Sequence, residues 1–255
     1  MPRRSPRFLA IAHLKGGSGA TTLAVNLAAG LALKGKRVAL LDLDPVAAST
    51  FYLVAGESGR TITDVLEGRA RLADVLTTTA AEGLTMAPAS RALSAWDRKP
   101  ERFPVDFARA LETLPPALDY VLLDLPPSAG AIVRGTLAVL PGGRVLAPVQ
   151  VRALDLVGFG ELVGLIEDLR EQNPALHLAG VVPVRVNRTR LAGEVLDALR
   201  QAHPGRVLPG IRESAAVARS PLARKPLALS VPSTPAAEDF AALTRAVLRM
   251  EDSTR

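Results

Sequence analysis

An apolar run, a cluster of glycines and a helical run follow one another without a break in FLAIAHLKGGSGATTLAVNLAAGLALKG, residues 8–35. Seven residues rich in β-formers cannot cover themselves. The run after the glycines repeats its apolar positions at helical spacing until Gly35 stops it. A strand that turns at once into a helix packed back on it is the opening unit of an α/β sheet. Five more apolar runs continue the pattern: RVALLDL (37–43), LTMAPA (84–89), YVLLDL (120–125), RVLAPVQ (144–150) and LAGVVPVRV (178–186). Most are apolar on both faces, as strands of a parallel sheet covered on both sides must be. Helical periods fall at 105–114, 154–173, 191–202 and 236–250. The alternation predicts a doubly wound, mostly parallel sheet flanked by helices. One domain is expected over 1–255, with a basic tail at 1–6 and a short tail at 251–255. The stretch SRALSAWDRKPERFP (90–104), which carries the single tryptophan, has no period and reads as a surface connector.

The glycine cluster makes an anion site. Gly16, Gly17 and Gly19 can take positive φ and let backbone N–H groups close on phosphate oxygens. Ser18 lies among them, and the helix that begins near Thr21 and Thr22 adds the positive end of its dipole. Thr21 stands where a loop hydroxyl would ligate Mg²⁺. The general phosphate-loop pattern G-x-x-x-x-G-K-[ST] fails twice, with Leu14 at its first glycine and Ala20 at its lysine.

The stretch resembles the deviant loop K-G-G-x-G-K-T-T of the ParA/MinD family of ATPases, which are P-loop NTPase-like in fold. Lys15, Gly16, Gly17, Gly19, Thr21 and Thr22 match it, and Ala20 departs from it. LDLDP (41–45) is similar to the family's D-x-D-P segment, although Val46-Ala47 stand where relatives often carry Gln-Gly. DYVLLDLPPS (119–128) resembles the family's Walker B run, and APVQ (147–150) is also similar. The resemblance implies that Asp44 orients the attacking water and that Thr21 and Asp124 serve Mg²⁺. It implies that Lys15 reaches across a nucleotide-sandwich homodimer to the other subunit's phosphates, and that Asn187 contacts adenine. ATP or ADP with Mg²⁺ are the implied ligands. The implied partners are non-specific double-stranded DNA and a ParB-type centromere-binding protein. With no cysteine in the chain, the iron–sulfur branches of the wider family are excluded, as are disulfides and Cys-ligated zinc.

A net charge of +6 favours an anionic partner. Between residues 185 and 225 nine basic residues face three acids, an excess equal to that of the whole chain. By resemblance this region forms a DNA-facing side, with Arg188 at a basic contact position; Arg190, Arg212, Arg219, Arg224 and Lys225 are further candidates on it, although Arg219 and Arg224 stand where relatives often carry other residue types. Scattered arginines without a base-reading helix imply contact with phosphates rather than sequence. The last helix, AAEDFAALTRAVLRM, is too alanine-rich for a membrane-surface helix of the MinD type and reads as a packing helix. The apolar run after the basic start MPRRSPRF is cut short at Lys15, so no signal peptide is expected. No stretch approaches the roughly 18 apolar residues of a membrane span. A cytoplasmic, nucleoid-associated protein is expected.

Two readings stand side by side. One is a partition protein of a chromosome or plasmid whose hydrolysis Ala20 impairs. The other is a DNA-binding scaffold of the same fold that has no ATPase cycle. Dependence of DNA binding on nucleotide separates them.

Overall fold

The computed structural model describes residues 5–56 and 59–252, so most of both expected tails, including Arg3 and Arg4, lies outside the described residues. Eight strands form one sheet in the order β3-β4-β2-β5-β1-β6-β7-β8. They are β1 Arg7–Ile11, β2 Val38–Asp42, β3 Thr77–Thr78, β4 Leu84–Ala87, β5 Tyr120–Asp124, β6 Arg144–Gln150, β7 His177–Val186 and β8 Ile211–Arg212. Every pairing is parallel except β3 with β4 at one edge. The expected doubly wound α/β sheet is what the chain forms, and all six expected strands are present. β3 and β8, two residues each, are too short to leave a pattern in the sequence.

Alternate residues of each strand feed two separate cores. On one face Leu9, Ile11, Leu40 and Leu122 pack with Leu23, Leu27 and Leu31 of the Ala20–Ala32 helix. Phe240, Leu243 and Val247 of the Pro235–Asp252 helix close that face, as expected of a packing helix. These two helices cross so tightly that a Cβ on Gly30 would stand 2.3 Å from Thr244 Oγ1. On the other face Ala10, Leu41, Val121 and Leu123 pack with Phe103, Phe107, Ile132, Leu162 and Ile166. Among the described residues no helix is long and apolar enough to cross a membrane.

The connector at 90–104 is a correction. Residues Arg91–Arg98 wind into a 3-10 helix and Arg102–Leu111 into an α-helix. Trp96 is buried, 1% exposed, with its ring edge-on to Phe103 at 6.3 Å. Lys99 Nζ lies 4.4 Å from the ring centre. Asp97 Oδ1 accepts a hydrogen bond from Ile132 N, tying the segment to the start of the next helix. Its apolar residues Leu93 and Trp96 are three apart, which suits a 3-10 turn and leaves no 3.6-residue period.

Trp96→Ala should therefore cost about 3–5 kcal/mol, the range for emptying a fully buried large aromatic site. Urea unfolding followed by circular dichroism measures it; a change within about 0.5 kcal/mol would mean that Trp96 behaves as a surface residue.

Candidate functional site

β1 ends at Ile11 in the middle of the sheet, between β5 and β6, and the glycine loop runs from its carboxyl end into the Ala20–Ala32 helix. Carboxyl ends at such a point are where open α/β sheets take ligands. Gly17 and Gly19 hold φ of 76° and 83°, left-handed values that a side chain would strain. Side chains at Gly16 or Gly17 would project into open space. The loop is fastened from outside: Gln150 Nε2 donates to Gly17 O at 2.6 Å, and His13 Nδ1 lies 2.8 Å from Lys15 O. Lys15 Nζ pairs with Asp155 Oδ1 at 2.9 Å, and Asp155 sits in the first turn of the Ala153–Leu169 helix, whose dipole also favours its charge. Ser18 Oγ is buried without a hydrogen-bond partner. Ala20 is 2% exposed and belongs to the core beneath the helix.

Three carboxylates gather beside the loop. Asp42 and Asp124 end adjacent strands as register partners. Asp124 Oδ2 accepts from Ser49 Oγ at 2.5 Å, while its Oδ1 is buried without a partner. Asp42 accepts from Thr50 N at 2.8 Å, Thr50 Oγ1 at 2.7 Å and Asp44 N at 3.1 Å. Asp44 Oδ1 accepts from Val46 N at 2.8 Å, which sets the turn into the Ala48–Leu53 helix. Ala47 caps that helix at φ 58°, where the family's frequent glycine would sit without strain. Burial pushes the Asp124 carboxyl up to about 8, helped by Asp42 and partly offset by the hydroxyls of Ser49 and Thr21. Burial raises Asp42 to about 6, against the hydrogen bonds from Thr50 and Asp44. Burial lowers His13.

The structure thus brings Thr21, Asp44 and Asp124 together with the glycine loop, as the motifs require of one site. Asp42, Ser49, Gln150 and Asp155 belong to the same site; Asp42 and Gln150 lie within the LDLDP and APVQ stretches, but sequence reasoning gave none of the four a role. The signal for Asp42 was available, because LDLDP places two aspartates two apart at a strand end.

A cavity of about 470 Å³ opens beside Ser18, Gly19 and Thr22. Its apolar wall includes Leu23, Val184, Ile211, Val217 and Phe240, and Arg185 and Arg212 also line it. A loop of backbone donors, an apolar slot and buried, unpartnered Ser18 Oγ and Asp124 Oδ1 fit a nucleotide with a divalent cation. Asn187 lies apart from the cavity lining: it is exposed, and its Oδ1 accepts from Thr189 Oγ1 at 2.7 Å in the turn before the Arg190–Ala202 helix.

The basic residues divide by what already engages them. Arg188, Arg219 and Lys225 are exposed. Arg190 pairs with Glu194 at 2.9 Å, and Arg212 forks onto both Asp239 oxygens at 2.7 and 2.8 Å. Arg224 donates to Val54 O at 3.2 Å and lies 4.6 Å over the Phe51 ring, which ties it to the Ala48–Leu53 helix.

A carboxyl raised by burial keeps a proton in the folded state that the unfolded chain loses above its ordinary value of 3.8. In chelator-containing buffer its contribution to stability is present below pH 3.8 and is lost as pH rises towards about 8. Asp124→Asn should flatten that decline and raise stability at the alkaline end relative to the unsubstituted chain. Urea midpoints across the range measure it; a parallel decline in both proteins would contradict a raised Asp124.

The chain as a whole is similar to known proteins. A family model described as an AAA domain matches residues 6–178. The chain is 32% identical to the chromosome-partitioning ATPase Soj of Thermus thermophilus, over 97% of this chain and 98% of that protein. It is 30% identical to the sporulation initiation inhibitor protein Soj of Bacillus subtilis, over 94% and 98% of the two chains. A crystal structure named as cobyrinic acid a,c-diamide synthase of Mycobacterium smegmatis, with a bound ATP analogue and magnesium, superposes with a TM-score of 0.83 at 28% identity, covering 98% of each chain.

Proposed function

The chain belongs to the ParA/MinD family of ATPases as a ParA-like partition protein, and from that premise we propose that it binds ATP or ADP with Mg²⁺, pairs as a nucleotide-sandwich homodimer and holds duplex DNA without regard to sequence, with hydrolysis blocked by Ala20. The observation that carries this reading is the glycine loop beside buried carboxylates, with a buried alanine at the position where the family's loop pattern has a lysine.

Binding rests on groups that Ala20 leaves in place. Backbone N–H groups of the glycine loop and the amino end of the Ala20–Ala32 helix take the phosphates. Thr21 and Asp124 would hold Mg²⁺, which would supply neutralising charge at the phosphate oxygens. Asp44, fixed through Val46 N, orients water for attack. Lys15 leaves Asp155 to serve the partner subunit's phosphates, and the half-exposed position of its side chain leaves it free to swing. Losing the in-line lysine removes one charge-assisted hydrogen bond, about 1.5–3 kcal/mol, so ground-state affinity falls by roughly 10- to 150-fold. The loss in the transition state is larger, because charge builds on the same oxygens there. The chain then binds nucleotide, turns over negligibly and answers a ParB-type partner poorly. This is also what a scaffold of the same fold would do, and the two differ in whether nucleotide governs DNA binding.

A steady-state ATPase assay of the chain and of Ala20→Lys tests the site. Negligible turnover is expected for the first and measurable turnover for the second. Adding Asp44→Ala to Ala20→Lys should abolish turnover and leave nucleotide binding within a few-fold, since a water-orienting group acts in the transition state. Robust hydrolysis by the chain as it stands would overturn the role given to Ala20.

DNA binding is tested by anisotropy on unrelated duplexes across a salt series. Log K should fall linearly with log salt at about 0.9 per phosphate contacted, alike for every sequence. Replacing Arg188, Arg219 and Arg224 by alanine should weaken binding uniformly and flatten the slope. An unchanged slope would remove this face from the DNA contact.

A further inference from the structure

The charge missing at position 20 leaves an anion site short of a cation, and the structure offers one. Two positively charged side chains line the cavity beside Ser18 and Gly19, Arg185 and Arg212. Arg212 is held by Asp239 through both carboxylate oxygens. Lys15 is held by Asp155. Among the described residues the Arg185 guanidinium forms no ion pair or hydrogen bond, and its side chain is exposed at the mouth of the cavity. Glu213 also lines the cavity without pairing to it.

The backbone at Arg185 is built to aim it. β7 pairs with β8 through Val184↔Ile211 and Val186↔Arg212, and the register shifts between Val184 and Val186. The residue between them is Arg185, at φ 52°, a left-handed value that is uncommon for a side chain of this size. Bulges of this kind re-aim a side chain beside functional sites. Immediately before it, Val184 Cγ2 lies 4.0 Å from where a Cβ on Gly19 would stand, so the end of β7 abuts the glycine loop itself. Ser18 Oγ, buried and unpartnered, lines the same cavity. An arginine held out of strand register, next to a loop of anion-binding amides and an unpartnered buried hydroxyl, is placed for a phosphate chain.

We propose that Arg185, displaced by the β7 bulge into the cavity beside the glycine loop, supplies to the nucleotide's phosphate chain the positive charge that Ala20 withholds. This rests on the reading that the loop binds nucleotide. The guanidinium contacts phosphate oxygens by charge-assisted hydrogen bonds, whereas the nucleoside lies along the apolar wall of Leu23, Val217 and Phe240. Its reach comes from the side of β7 and not from the helix axis, so it restores binding more than in-line catalysis.

Isothermal titration calorimetry with ADP, AMP and adenosine in Mg²⁺ buffer tests it on four proteins: the chain, Arg185→Ala, Ala20→Lys and the double variant. Arg185→Ala should weaken ADP binding by about 10-fold, the low end for one charged hydrogen bond at a solvent-exposed side chain, and leave adenosine within about 2-fold. In the Ala20→Lys background the same change should cost less than about 3-fold, because the lysine then carries the charge. Arg185→Lys should retain part of the affinity, and matching thermal melts confirm that the variants fold. Unchanged ADP affinity in Arg185→Ala overturns the proposal. So does an equal loss for ADP and adenosine, which would place the arginine on the base, or an undiminished loss in the Ala20→Lys background. If Ala20→Lys itself binds no nucleotide, the failure lies with the nucleotide reading and not with Arg185.

Discussion

Asp42 and Asp124 sit side by side at the ends of adjacent strands, buried, with Asp44 two residues on, and among the described residues no lysine or arginine pairs with any of the three. This concentration of acid without a counter-charge organises its surroundings. Ser49 and Thr50 are drawn onto it and fix the Ala48–Leu53 helix, and Asp44 fixes the turn that leads there. The far side of that helix holds Arg224 through Phe51 and Val54. The carboxylates are therefore joined, through one short helix, to the basic segment that follows β8. Among the described residues no group of three or more acids or histidines is arranged to hold a metal by itself, so the Mg²⁺ proposed above would depend on the nucleotide's own phosphates for part of its shell.

The glycine loop keeps its shape for reasons independent of residue 20. Its left-handed glycines, the bond from Gln150 to Gly17 and the Lys15–Asp155 pair all lie outside the helix that Ala20 begins. Ala20 is buried in the same core cluster as Leu23 and Val184. Alanine at this position thus separates two properties that a lysine there would join, the architecture of an anion site and the charge delivered to it. Architecture is retained, and charge must come from elsewhere or be absent.

Much of this was legible in the sequence, because the features that betray it are local. A strand, a glycine cluster and a helix are read from neighbouring residues, and so are the two aspartate motifs that place Asp44 and Asp124. The residues that fasten the site were harder to see. Gln150 and Asp155 act across 133 and 140 residues of chain, and a polar residue at the end of a strand or the start of a helix carries no sign of the loop that it will meet. Trp96 falls in a stretch that reads as a surface connector because a 3-10 turn has no helical period, although its ring is buried edge-on to Phe103, which stacks in turn on Phe107. The basic face was visible as charge but not as pairing: Arg212 turned out to be bound to Asp239, whose place on the last helix lies 27 residues away.

On the proposed reading this site takes a nucleotide with alanine at position 20. Equilibrium dialysis of the unsubstituted chain against radiolabelled ADP with Mg²⁺ measures it directly. Saturable binding of one nucleotide per chain is expected, abolished by a bulky Gly17→Val substitution that strains the loop at φ 76°. Absence of saturable binding, or binding that Gly17→Val leaves intact, would contradict it.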